Sequence, residues 1–177
     1  MLADMTLRIR LIDPNDDRAV ADLQRRNREF LAPWTPERPE EHLTVAGQRV
    51  DIEKALVRHA RGESVPLVIL DDEGAVAGRL TLGGIMRGAF QSCSVGYWLA
   101  EEHTGRGLAT QAVEAAVALA FSDLRLHRVQ AETLLDNMAS QAVLARTGFE
   151  RIGMAPRYIR IAGRWRDHLL FQRVDED

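Results

Sequence analysis

The segment from Gly96 to Ala112, GYWLAEEHTGRGLATQA, constrains the fold more than any other stretch. A strand-like apolar run ends in a charged turn, and Gly105 and Gly107 then flank Arg106 where a long apolar-periodic run begins. Leu108, Ala112, Val113, Ala116, Val117 and Leu119 keep helical spacing, with Gln111 and Glu114 outside, so this run is a helix with one buried face. A chain with such a handover interleaves helices with a sheet. Bare backbone at a helix start also has a chemical reading. The first N–H groups lack intrahelical partners, the macrodipole is positive there, and missing Cβ atoms let an anion such as a phosphate come close. An ordinary tight turn is the alternative, and the loop alone does not choose between them.

The flanking sequence fills in the sheet. Leu7, Ile9 and Leu11 alternate with Arg8 and Arg10, which predicts a first strand with one buried face. Asp13 to Asp16 is turn and cap material, and Val20, Leu23, Asn27 and Phe30 predict one short helix. Pro33, Pro36 and Pro39 then prevent any regular element, leaving a shaped loop that carries Trp34. Val45, Val50, Ile52, Leu56 and Val57 predict a second helix, ended by Gly62. Two strands follow around the hairpin signal Asp71-Asp72-Glu73-Gly74. SCSVGYWLA is another strand, with Cys93, Val95, Tyr97 and Leu99 on one face and Ser94, Gly96 and Trp98 on the other. HRVQAETLL is a further strand, and DNMASQAVLARTGF a short helix that starts after Asp136-Asn137 and stops at Gly148. FERIGMAPRYIRI and RDHLLFQRV are two last strands joined at Ala162-Gly163. This order predicts a mixed α/β (α+β) domain, a single one spanning residues 1–177.

Composition narrows the function classes. With 23 Lys and Arg against 26 Asp and Glu, the net charge of -3 argues against a general nucleic-acid or membrane surface. The single Cys93 cannot form an internal disulfide or a cysteine zinc cluster, and its place among apolar neighbours predicts a buried thiol. No run reaches the roughly 18 apolar residues of a membrane span, so the expected location is the cytoplasm. The five histidines have no metal-ligand spacing, and no metal is expected. Leu108, Ala109 and Thr110 after Gly107 break the dinucleotide fingerprint, and a Walker loop is missing, which disfavours a Rossmann dehydrogenase and an NTPase.

VGYWLAEEHTGRGLATQAVEA, followed by LLDNMASQAVLARTGFERIG, resembles the acetyl-CoA-binding core of the GNAT N-acetyltransferase superfamily. NREFLAPWTPERPEEH, MRGAFQSC and GRWRDHLL resemble its RimJ/RimL branch, closest to RimJ, whose members acetylate N-terminal residues of ribosomal proteins. The likeness runs from about Leu7 to Val174. It implies a mostly antiparallel twisted sheet of about seven strands with about four helices, split to admit acetyl-CoA. The family's loop pattern [Q/R]-x-x-G-x-[G/A] falls on Thr104, Gly107 and Ala109, with Thr104 departing from it. The resemblance therefore implies a pyrophosphate held by backbone from Gly105 through Arg106, Gly107, Leu108 and Ala109 to Thr110. It also implies that the backbone of Trp98 and Leu99 and the side chain of Asn137 meet the pantetheine arm. A backbone N–H there would face the developing oxyanion.

If Asn137 caps its helix, Ser140 is at N3, and the resemblance makes Ser140 the acid for the departing thiolate. The family's usual tyrosine position is Leu144 here, so that Ser140 or a water serves instead, and Ser94 stands where many relatives have a carboxylate base. Glu29, Glu41 and Glu132 are the base candidates. An α-amine, with a pKa of about 7.7 to 8.0 against about 10.4 for lysine, demands less of a base. Trp34, Glu41 and Tyr158 are the acceptor-side candidates, although Trp34 is equally explained by packing and Tyr158 better explained by it. Glu37, Glu40 and Glu41 suit attraction of a basic tail. The expected acceptor is the N-terminal α-amine of a protein, a ribosomal protein's alanine among them. A small amine is the alternative acceptor, and a non-catalytic acyl-CoA sensor the alternative function. The expected partners are acetyl-CoA, the acceptor and a second copy of the chain as a homodimer. Arg164, Trp165 and Arg166 read as a solvated hairpin tip, so no direct nucleic-acid contact is expected, nor a membrane one.

Overall fold

Seven strands hydrogen-bond into one sheet in the computed structural model, which describes residues 8–176. They are β1 (Ile9–Leu11), β2 (Val65–Leu70), β3 (Val76–Met86), β4 (Ser92–Leu99), β5 (Arg128–Leu134), β6 (Glu150–Ile161) and β7 (Arg164–Val174), in spatial order β1-β2-β3-β4-β5-β7-β6. The helices are α1 (Asp17–Arg26), α2 (Arg28–Leu31), α3 (Val45–Ala60), α4 (Leu108–Ser122) and α5 (Met138–Arg146). The mixed α/β fold is thus as the sequence predicts, with Leu7 outside the described residues. Among the described residues no helix is long and apolar enough to cross a membrane.

Every neighbouring pair of strands is antiparallel except β4 and β5. A parallel pair needs a long crossover, and α4 supplies it. β4 and β5 pair only at Ser92↔Arg128, Cys93↔Val129 and Ser94↔Gln130. Beyond those residues β4 continues to Leu99 and β5 to Leu134 with no register between them, while each keeps its partner on the other side. The sheet is therefore split from one end.

Two apolar clusters hold this shape. In the larger, Val113, Ala116, Val117 and Ala120 of α4 pack with Leu80, Leu82, Val129 and Leu144, all fully or almost fully buried. The alanines let α4 lie close to the sheet, and each buried Leu or Val contributes about 1.5–3 kcal/mol. In the smaller, Ile12, Ile52 and Val68 meet beneath α3.

Three local expectations differ from the structure. Leu11 is exposed and Ile12 buried, because β1 ends at Leu11 and the Ile12 N–H turns to the Pro66 carbonyl at 3.0 Å. The first predicted helix is two, α1 and α2, divided at Asn27. That buried side chain donates to the Leu23 carbonyl (3.0 Å) and accepts the Glu101 N–H (2.7 Å), tying the break to the turn ahead of α4. On α3 the buried stripe is Gln48, Ile52 and Ala55, while Val45, Val50 and Val57 face solvent. The buried Gln48 donates from its Nε2 to the His42 carbonyl at 2.5 Å, while its Oε1 is buried without a partner.

Candidate active site

Where β4 and β5 part, a cleft opens in two lobes that share Leu31, Trp34, Tyr97, Trp98, Asn137 and Ser140. The first lobe, about 570 Å³, runs to the glycine loop before α4. The second, about 260 Å³, reaches between the separated strands toward Glu132 and His168.

At the first lobe the backbone is the reactive surface. Gly105 has φ +73° and Gly107 φ +78°, conformations that cost an L-residue about 1–2 kcal/mol. A Cβ on Gly105 would meet nothing within 4 Å, so conformation and open space, not crowding, characterise this position. Gly107 is the N-cap of α4 and makes no side-chain cap hydrogen bond. The first intrahelical bond runs from the Gln111 N–H to the Gly107 carbonyl (3.0 Å), leaving the N–H groups of Leu108, Ala109 and Thr110 without helical partners. Gly105, Gly107, Leu108, Ala109 and Thr110 all line this lobe, with Leu108 mostly turned into the core. The Arg106 side chain is not part of the lining; its guanidinium binds Asp72 at 2.9 Å. Arg8 binds the same carboxylate at 2.6 Å, and the two arginines, Arg8 foremost, hold it below the usual carboxylate range. The Thr104 hydroxyl is engaged by the Glu101 carbonyl at 2.7 Å. Such a cradle fits a pyrophosphate, since the donors point from backbone and no side chain fills the space.

Along β4 the register assigns the backbone groups. The Ala100 N–H donates to the Ala77 carbonyl (2.9 Å), and strand alternation then turns the N–H and C=O of Trp98 toward Arg79 of β3. Those of Tyr97 and Leu99 face the unpaired side. Trp98 lines both lobes, so its contribution to the cleft is the indole.

The middle of the cleft holds two hydroxyls. The Asn137 side-chain oxygen accepts the Ser140 N–H at 3.1 Å, so Asn137 caps α5 and Ser140 stands at N3, the arrangement the sequence predicts. The Ser140 Oγ lies 2.9 Å from the Tyr97 hydroxyl. Burial pushes the Tyr97 phenol up, and its bond to Ser140 offsets part of that rise. Sequence reasoning assigned Tyr97 only to a packed strand face; the sole hint was its period-two position beside Gly96. Leu144 is fully buried behind this pair.

Glu132 on β5 is, among the described residues, the one carboxylate lining either lobe. Burial pushes its carboxyl up, with the Ser94 hydroxyl (3.4 Å from Oε1) and the charge of His168 acting the other way. His168 is buried, and its Nδ1 lies 3.0 Å from the Arg166 carbonyl. Tyr158 does not line the lobe itself; its ring flanks His168 with centroids 5.9 Å apart. Trp34 lines both lobes, with its loop held by a hydrogen bond from its N–H to the Leu31 carbonyl (3.0 Å). Glu41 departs from expectation. It sits exposed on the 3-10 turn Glu40–Leu43, where its carbonyl accepts from Thr44, and lies outside both lobes. Glu29 is likewise exposed and outside them. Cys93 is buried on β4, its thiol pushed up to about 11 by burial, as its apolar neighbours predicted. His103, which sequence reasoning passed over, lines the first lobe with an Nδ1 that is buried and without a partner.

An anion cradle, an open strand edge, a hydroxyl pair and a half-buried carboxylate in one cleft suit group transfer from a phosphate-bearing carrier. Residues 6–150 match the acetyltransferase (GNAT) domain, and the chain belongs to that family. It is an acetyl-CoA-dependent N-acetyltransferase, which sets aside the sensor alternative. The chain is 34% identical to the [ribosomal protein uS5]-alanine N-acetyltransferase of Escherichia coli (strain K12) over 163 residues, 92% of this chain and 84% of that one. Ribosomal-protein-S5-alanine acetyltransferase from Vibrio fischeri superposes with TM-score 0.90 at 32% identity, over 96% of this chain and 93% of the other. RimJ of Mycobacterium smegmatis in complex with CoA-disulfide gives TM-score 0.90 at 31% identity, over 94% and 80%.

Proposed function

We propose that this chain acetylates the N-terminal α-amine of a protein, with a ribosomal protein's alanine the foremost acceptor, and that it does so in the cytoplasm. The observation that carries the reading is the second lobe, where a half-buried carboxylate, Glu132, lines the part of the cleft away from the glycine loop. A base whose proton affinity is raised by burial is matched to an α-amine, which has a pKa of about 7.7 to 8.0, far better than to lysine at about 10.4. The relatives named for ribosomal-protein alanine support the same acceptor.

In this reading the N–H groups from Gly105 to Thr110 hold the pyrophosphate, and the exposed edge at Tyr97 and Leu99 holds the pantetheine arm. Asn137 spends its oxygen on the α5 cap, so its amide NH₂ is the group that meets that arm. Acetyl-CoA supplies the thioester that the neutral amine attacks. Glu132 accepts the ammonium proton. A backbone N–H of Tyr97 or Leu99 faces the developing oxyanion, and Ser140 donates to the departing thiolate. Trp34 forms a wall of the acceptor lobe, and Tyr158 acts at its rim through His168.

Incubation with acetyl-CoA and two peptides tests this, one with a free N-terminus and no lysine, the other with a blocked N-terminus and one lysine. Thiol release is expected from the first peptide alone. Equal acetylation of the second overturns the α-amine assignment, and turnover with small amines only would replace the protein acceptor.

A further inference from the structure

The contact between Tyr97 and Ser140 joins residues 43 positions apart, from β4 and α5, at the junction of the two lobes. We infer that Tyr97 is a positioning residue for the leaving-group acid: its phenol donates to the Ser140 Oγ and so aims the serine proton into the cleft. The inference rests on the reading of Ser140 as the acid.

A serine hydroxyl rotates freely unless its oxygen is fixed, and a free rotor in this place has a competing acceptor in the phenol oxygen itself. The pair has two hydrogen-bond arrangements. In one, Ser140 donates to Tyr97, and the Tyr97 proton turns to the Ser140 carbonyl, 3.4 Å away. In the other, Tyr97 donates to Ser140 Oγ across the same 2.9 Å, gives up the long contact to the carbonyl, and the serine proton is left for a ligand. The second arrangement is favoured once a thiolate stands in the cleft, because a bond from a hydroxyl to an anion is about twice as strong as one between neutral groups. Burial keeps Tyr97 protonated and therefore a donor across the working range. Asn137 fixes the backbone of the same serine through its N–H, so backbone and hydroxyl are held from two elements. Leu144, fully buried, offers no hydroxyl of its own.

The protons balance. The ammonium gives one proton to Glu132 before attack, and the adduct gives a second as the amide forms. Ser140 passes its own proton to the sulfur as the C–S bond breaks and regains the second amine proton. Tyr97 keeps its proton throughout.

Tyr97→Phe, Ser140→Ala and the double variant test the inference by kcat with the free-N-terminus peptide, acetyl-CoA Kd by calorimetry, and thermal midpoint. Ser140→Ala is expected to lower kcat about 100-fold and Tyr97→Phe about 10-fold, each with Kd within about 2-fold. The double variant should be no slower than Ser140→Ala alone, since Tyr97 acts through the serine. A readout independent of turnover uses the chain's two tyrosines. In a Tyr158→Phe background, ¹³Cζ-tyrosine NMR follows Tyr97 alone, and Ser140→Ala should move its ionisation to higher pH. Wild-type or faster kcat in a folded Tyr97→Phe, or multiplicative losses in the double variant, overturns the positioning role while leaving the acid reading intact. Wild-type kcat in Ser140→Ala overturns the acid reading and this inference with it. Ser140→Thr, which keeps a hydroxyl, should recover most of the rate and still depend on Tyr97.

Discussion

In the proposed reading the two ends of the cleft recognise by different means. At the glycine loop the donors are main-chain N–H groups, set by the left-handed conformations of Gly105 and Gly107 and by the start of α4. The second lobe is lined instead by side chains delivered from separate elements: Trp34 from the loop after α2, Glu132 from β5, His168 from β7 and Ser140 from α5. Backbone recognition is indifferent to most substitutions, and the Thr104 side chain takes no part in it, its hydroxyl donating to the Glu101 carbonyl. Side-chain recognition changes with each residue. The first end thus fixes what donor can bind, and the second is free to set the acceptor.

The contrast breaks most sharply at Gly107. Gly107→Glu forces a side chain into φ +78° and sets a carboxylate beside the unpartnered N–H groups of α4. The conformational cost of about 1–2 kcal/mol and the charge repulsion act together. Acetyl-CoA Kd by calorimetry is expected to rise at least about 100-fold, a loss of roughly 3 kcal/mol. Unchanged Kd would mean that the phosphates do not rest on this loop.

Glu132→Gln strikes the other end and should spare donor binding. The expected result is kcat lower by about 100-fold with Kd for acetyl-CoA within about 2-fold. The pH profile carries the sign. A base works only when ionised, so the wild-type rate climbs as pH rises through the pKa of Glu132, which burial raises above the ordinary glutamate value. The Gln variant should lose that limb and retain only the one set by the amine. A variant with the wild-type profile would move the base role elsewhere.

The same contrast decides what was legible in the sequence. The glycine loop and the Asn137–Ser140 cap are contiguous, and local rules for helix starts reach them directly. Tyr97–Ser140 is a contact between elements, and no periodicity encodes it. Glu132 could be named as a candidate, but its choice over Glu29 and Glu41 required the divergence of β4 from β5, which exists only in the folded sheet. The buried stripe of α3 was hidden by Gln48, a polar residue at its centre whose Nε2 donates to the His42 carbonyl. Ile12 was hidden by the end of β1, where alternation gives way to a turn. Strand number, strand order along the chain and the two long helices followed from apolar patterning together with the turn and stop signals between the runs.

The smallest effect is expected at Glu41, and it sharpens the comparison by marking where the acceptor end stops. Glu41 is exposed and outside both lobes, while its neighbour Glu40 is engaged by Arg28 and Glu37 lies against the Gly163 turn. If this acidic rim acts at all, it acts through its field on a basic peptide arriving from solvent, and at physiological salt that field decays over about 8 Å. Glu41→Gln should therefore leave kcat unchanged and lower kcat/KM for a basic N-terminal peptide by about 2-fold at most, with the difference vanishing in high salt. Steady-state rates at two ionic strengths measure this. A salt-independent fall in kcat would mean that the Glu40–Leu43 turn folds in over the acceptor, extending the side-chain end of the cleft beyond the split in the sheet.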